Sequence, residues 1–215
     1  MDITYLGHSS FRLRGKNASL VTDPFDPKMV GFKFPKVSAD IVTVSHDHGD
    51  HNQAEIIGGV NKVIKGPGEY EISGVSVIGI STFHDDNKGS LRGKNTVYVI
   101  EMDRLRIAHL GDLGHKFSES VREEMGDIDI LMIPVGGEYT ISPATAGQIT
   151  RDIEPNICLP MHYQMRGLDP KTFAKLEGVD QFLNDLGLPV ERLDKLSVKK
   201  ESLGEEQKVV VLNKK

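Results

Sequence analysis

The chain has one cysteine in 215 residues, Cys158, which excludes any disulfide within the chain and with it the stapled scaffolds of small secreted domains. It has no excess of basic residues: 26 Lys and Arg stand against 31 Asp and Glu, a formal net charge of -5. That balance argues against a general polyanion-binding surface, so nucleic acid is not the expected partner. No apolar run approaches the ~20 residues that span a bilayer. The N-terminus also lacks the basic-then-apolar pattern of a secretion signal. A cytoplasmic protein without a membrane partner is the expectation. Internal repeats, low-complexity tracts and a nucleophile paired with an evident base are all missing; Cys158 lies in the apolar run Ile157 to Leu159, where an inert buried thiol is expected.

The length suits one large domain, residues 1–215, with a substantial core. An antiparallel start is expected from strands at Ile3 to Leu6, Phe11 to Arg14 and Ser19 to Thr22. The loop from Phe25 to Lys36 carries Phe25, Met29, Phe32 and Phe34, which either wall a pocket or tuck under the loop as a satellite core. Further strands are expected at Lys62 to Lys65 and Val75 to Ile80, joined by a turn rich in Gly, Pro and Glu. Others follow at Thr96 to Glu101, Arg106 to Leu110, Ile128 to Ile133 and Ile157 to Leu159, with weak ones at Glu191 to Leu193 and Val209 to Leu212. Helices fit Ser118 to Met125, Ser142 to Ile153 with its cap and first-position proline, Pro170 to Glu177 and Asp180 to Leu186. The polar stretch Lys195 to Gln207 reads as a surface excursion. Strands ending near residues 45, 81, 110, 133 and 159 each empty into a loop with Gly, His, Asp or Pro, as if the ends met at one rim. Interspersed helices make the class α/β, with sheets covered by helices.

The densest signal runs from Ile41 to His51, Ile-Val-Thr-Val-Ser-His-Asp-His-Gly-Asp-His. A buried strand here runs into three histidines and a spare aspartate. Alternation puts His46 and His48 on one side, while the adjacent pair Asp50 and His51 points elsewhere, so one loop serves two neighbouring sites. Gly49 would permit the bend between the pairs, and Asn52 would cap a helix from Gln53 that Gly58 and Gly59 end. Isolated histidines usually just face water; histidines clustered after a hydrophobic strand point to a metal instead. His84, Asp112 and His162 stand at other strand ends and bring the set to five imidazoles and two carboxylates, a stock that suits two metal ions sharing a bridging carboxylate.

The His-x-His-x-Asp-His signature of residues 46–51 resembles that of the metallo-β-lactamase fold hydrolases, most closely the branch with the ascorbate-6-phosphate lactonases. The likeness extends over Thr4 to Ser10, Thr22 to Phe25, His109 to Asp112, Pro134 to Gly137 with Tyr139 and Thr140, and Pro160 to Tyr163. It implies a four-layer αβ/βα sandwich with metals at one edge between the sheets. It further implies His46, His48 and His84 as ligands of a first metal, Asp50, His51 and His162 as ligands of a second, and Asp112 as the bridge. His8, in the Gly-His-Ser stretch of that branch, is read as lining the site beside the second metal, and Asp23 as orienting a ligand histidine. His109 is expected in the core or behind the ligands, and His115 on an exposed loop.

The implied activity is hydrolysis by a metal-bound hydroxide, with Asp50, assisted by His8, moving the proton to or from water and leaving group. Nitrogen and oxygen donors suit two divalent ions, zinc first, with Mn2+ or Fe2+ as alternatives. Two such ions with Asp50, Asp112 and a hydroxide leave a formal charge near +1, which favours an anion. The basic residues Lys28, Lys33, Lys36, Lys88, Arg92, Lys94 and Arg166 fall on candidate mouth loops. They hint at a small phosphorylated or carboxylated ester or lactone, though ordinary solvated side chains account for them as well. Rival readings are a di-iron redox protein of the same fold, a nuclease, and a metal-binding module without turnover. His48 where the redox relatives carry glutamate, and the lack of an inserted domain or basic surface, weigh against the first two. Any homo-oligomer is beyond what the sequence shows.

Overall fold

The computed structural model describes residues 1–215. In chain order the strands are β1 (Asp2–Gly7), β2 (Ser10–Arg14), β3 (Ser19–Thr22), β4 (Ile41–Val44), β5 (Lys62–Lys65), β6 (Gly68–Ile72), β7 (Val75–Phe83) and β8 (Lys94–Met102). They continue as β9 (Leu105–His109), β10 (Ile130–Pro134), β11 (Ile157–Met161), β12 (Val190–Leu193), β13 (Leu196–Ser197) and β14 (Lys208–Leu212). The helices are α1 (Pro27–Val30), α2 (Glu119–Met125), α3 (Pro143–Ile153), α4 (Pro170–Phe173) and α5 (Val179–Leu186). Two mixed sheets result, ordered β13-β1-β2-β3-β4-β5 and β12-β14-β11-β10-β9-β8-β7-β6.

Side-chain alternation on doubly buried strands sorts the apolar residues into three cores. Ile130 and Met132 of β10 face the interior between the sheets, where they meet Ile3, Tyr5, Leu20 and Ile41; Leu131 and Ile133 face outward. The outward set packs under α2, α3 and α5, against Met125, Ile149 and Phe182. On the far side of the first sheet, Val21, Val42 and Val44 pack with Val30 and Phe173, from α1 and α4, and with Phe25, Phe32 and Phe34. Helix, sheet, sheet, helix is the four-layer sandwich that the resemblance implied. Within it, the three phenylalanines of the 25–36 loop form the satellite core, and Met29, 37% exposed, is left at the surface.

α2 and α3 start where side chains satisfy free N–H groups: the Ser118 and Ser142 hydroxyls accept from Val121 and Thr145, and proline fills the first position of α3. Other expectations are corrected. No helix starts at Gln53; a single 3-10 turn covers Ala54–Ile56, and the Asn52 amide donates to Asp47 at 2.7 Å instead of capping it. Gly49 is not in the left-handed region; the bend is held by Asp26 N–H donating to the Gly49 carbonyl, 2.9 Å. The Gly-Pro-Glu turn proves to contain β6, paired with β7 from Gly68↔Gly79 to Ile72↔Val75. Its glycine and proline hide a strand that the pairing itself enforces. α4 ends at Phe173 rather than running to Glu177. The polar stretch after Lys195 is also not wholly at the surface, since Leu196 pairs with Ile3, and Leu196 and Val198 are buried. Two residues of strand are too few to show a period.

Tyr98 ties the two sheets together. Fully buried on β8, its hydroxyl donates to the Val44 carbonyl of β4 at 2.8 Å and accepts from Gly66 N–H at 3.0 Å. Tyr98→Phe is expected to orphan both groups and lower unfolding stability by about 1–3 kcal/mol, with the fold intact by circular dichroism and the loss read from denaturant titration.

Candidate metal centre

Strand direction brings the candidate residues to one edge. β1 and β3 both run antiparallel to β2, and β4 runs parallel to β3, so His8, Asp23 and the 45–51 loop follow strand ends on the same side of the first sheet. β7 and β9 both run antiparallel to β8, and β10 and β11 run parallel to β9. His84, Asp112 and His162 therefore emerge together from the second sheet.

There the structure gathers the predicted residues into two nests. In one, ligating atoms of His46, His48 and His84 lie within 4.8 Å of one another; in the other, those of His8, Asp50, His51 and His162 do the same. Asp112 stands between them. Its Oδ2 is 3.2 Å from His84 Nε2, 3.9 Å from His46 Nε2 and 3.3 Å from His162 Nε2, and its Oδ1 is 3.3 Å from His51 Nε2. All but His48 are buried. His46 Nε2, His51 Nε2, both ring nitrogens of His162 and Asp112 Oδ1 are buried without a hydrogen-bond partner. Such orphaned groups each cost about 1–3 kcal/mol, and a cluster of nitrogen and oxygen donors left in this way is what a bound cation would complete. The donor set fits divalent metal ions.

Residues behind the nests fix their aim. Asp23 accepts from Ser45 N–H at 2.8 Å, from the Ser45 hydroxyl at 2.5 Å and from His51 Nδ1 at 2.8 Å, which leaves His51 Nε2 facing Asp112. Ser45 Oγ also sits 2.9 Å from His46 Nδ1. His109 is a buried bracket rather than a ligand, its Nε2 donating 2.8 Å to the Ser9 carbonyl beside His8. Asn95 was not foreseen as a site residue: its side-chain oxygen accepts from Asp112 N–H at 3.0 Å and its amide donates to the Leu110 carbonyl at 3.0 Å. Nothing in its polar segment signals that role. His115, expected on an exposed loop, is half-buried and accepts from Phe83 N–H at 3.1 Å, which anchors the strand just before His84. Gly114 must lack a side chain because a Cβ there would lie 2.3 Å from the backbone of His84 and Asp85.

The electrostatics favour free lone pairs on three of the imidazoles, His46, His48 and His8. Burial pushes His46 down to about 3, with His51 adding to the effect, and pushes His8 down to about 4, with His162 adding. Burial also lowers His48. His51 goes the other way, since Asp112 and Asp50 outweigh its burial and raise it. Burial pulls Asp112 and Asp50 up, but His162 and His51 hold the first, and His51 and His8 the second, below the usual carboxylate range.

A cavity of about 250 Å³ opens onto both nests, lined by Met29, His48, Asp50, His84, Arg92, Tyr139, Thr172 and Phe173. Of the seven basic residues on the candidate mouth loops, Arg92 is the one that lines it; Arg92 and Lys94 also line a second cavity of about 480 Å³ together with His46 and His48.

The family model for the β-lactamase superfamily domain matches residues 2–162, from the first strand to His162. A UPF0173 protein of Pyrococcus abyssi is 33% identical over 78% of this chain and 85% of its own length. The chain belongs to the UPF0173 metal-dependent hydrolase family of the metallo-β-lactamase superfamily. Another member, a UPF0173 metal-dependent hydrolase of Thermococcus onnurineus, is 29% identical over 83% of this chain and 92% of its own. The crystal structure of a candidate Zn-dependent hydrolase of the superfamily from Thermotoga maritima superposes with a TM-score of 0.83 at 38% identity, covering 100% of this chain and 99% of that one. The likeness spans both sheets and the edge where the nests lie.

Asp23→Asn is expected to remove the charge that sets the His51 tautomer and to weaken metal binding about 10- to 100-fold, measured by competition with a chromophoric chelator. Equal affinity in variant and parent would remove Asp23 from the site.

Proposed function

We propose that the chain is a binuclear hydrolase for a small anionic ester or lactone, of the kind handled by the ascorbate-6-phosphate lactonases that the motifs resemble. The observation that carries this reading is the convergence of buried, unpartnered imidazole nitrogens from two nests on one carboxylate, Asp112. His46, His48 and His84 would hold one ion, Asp50, His51 and His162 the other, with Asp112 between; zinc is the favoured metal and Mn2+ or Fe2+ the alternatives. Bound there, two divalent ions supply Lewis acidity at a carbonyl or phosphoryl oxygen and lower the pKa of water from about 15.7 toward 7.

The chain's own residues do the rest. His8 Nε2 lies 3.1 Å from Asp50 Oδ2, a pair able to take a proton at the carboxylate and pass one to a leaving group. His8 is locked for that task. Its carbonyl accepts from the Tyr5 hydroxyl at 2.7 Å and from His162 N–H at 2.8 Å, and its ring lies 4.2 Å from that of His162 and 5.0 Å from that of Phe173. Met29, Tyr139 and Phe173 wall the cavity and limit water around the reacting bond.

Protein purified without added metal should contain about two ions per chain by elemental analysis. His8→Asn, which tolerates the left-handed backbone at this position, is expected to keep that metal content and lower kcat about 10²- to 10⁴-fold in a screen of lactones, carboxyl esters, phosphodiesters and thioesters. Silence of the fully loaded chain across the screen, or full activity in Asp112→Asn, would sink the reading.

A further inference from the structure

We propose that Arg92 is the anion-recognition residue of this site, presented by a strap, residues 85–93, and that the substrate carries a carboxylate or phosphate away from the bond that is cut. The inference rests on the hydrolase reading and names the part of the substrate that the metal centre does not bind.

The strap is built rather than loose. Asp85, buried beside His84, accepts four backbone N–H groups: Asn87 at 2.8 Å and Gly89 at 2.9 Å on one oxygen, Leu91 at 3.0 Å and Arg92 at 2.7 Å on the other. His84 N–H donates to the Gly93 carbonyl at 3.0 Å, so the strap closes onto the backbone of a proposed metal ligand. Arg92 is thereby set at the mouth of the 250 Å³ cavity that His48, Asp50 and His84 floor.

Its guanidinium lies over the ring of Tyr139, 5.3 Å from the centroid, and Tyr139 is itself fixed by a hydroxyl bond to the Thr172 carbonyl at 2.6 Å. The side-chain N–H groups of Arg92 make no hydrogen bond within the protein and so stay available beside the ring. No carboxylate pairs with it: the protein's ion pairs do not include Arg92, and the oxygens of Asp85 are taken up by backbone donors. An oriented, unpaired fork facing a walled cavity matches a planar carboxylate or a phosphate.

The test uses the metal-loaded chain and two matched pairs of compounds. Calorimetry compares glutarate with pentanoate, and kinetics compares mono(4-nitrophenyl) glutarate with 4-nitrophenyl pentanoate, with metal content measured alongside. Arg92→Met is expected to cut the preference for the doubly functional member about 10- to 100-fold in both arms, and Arg92→Lys to restore part of it. A preference that survives in Arg92→Met, or none in the parent, would overturn the proposal. Should neither these esters nor the wider screen of lactones, phosphodiesters and thioesters turn over while glutarate still binds through Arg92, the hydrolase reading fails and the anion site stands.

Discussion

Everything at the histidine-rich edge depends on one carboxylate that faces four imidazoles. Asp112 is buried, held by its own N–H on Asn95, and approached at 3.2 to 3.9 Å by His46, His51, His84 and His162. The inward nitrogens of His46, His51 and His162 have no hydrogen-bond partner there. The arrangement suits cations placed among them, and Asp23, Ser45 and Asn95 hold His51, His46 and Asp112 in that orientation.

That aim is maintained at a local cost. His8 and His162 both adopt left-handed backbone, φ 55° and 52°, a conformation that costs a residue other than glycine on the order of 1–3 kcal/mol. The bond from His162 N–H to the His8 carbonyl, 2.8 Å, couples the two, and the Tyr5 hydroxyl holds the same carbonyl. The three stacked cores on either side of the sheets supply the stability that such strain draws on.

The stretch from Ile41 to His51 was legible because its whole message is local: a buried strand, then ligands in immediate succession. His84, Asp112 and His162 were legible because each follows an apolar run, and direction along parallel strands does the rest. Asn95, Ser45 and Asp85 were not. Their roles lie in hydrogen bonds to residues brought near only by folding, and an amide or hydroxyl in a polar segment looks like any other. His109 reaches Ser9 across 100 residues of chain, a contact that no periodicity announces. The strands β6 and β13 were hidden for a related reason, being defined by partners rather than by their own pattern.

The clamp between His84 N–H and the Gly93 carbonyl separates the strap's tip from its base. The exposed side chains of Asp86, Asn87, Lys88, Ser90 and Leu91 can change size or charge while the backbone bonds to Asp85 and the contact at the two ends stay in place. Divergence among descendants of this scaffold can therefore retune which molecules are accepted at the entrance without disturbing the machinery beneath it.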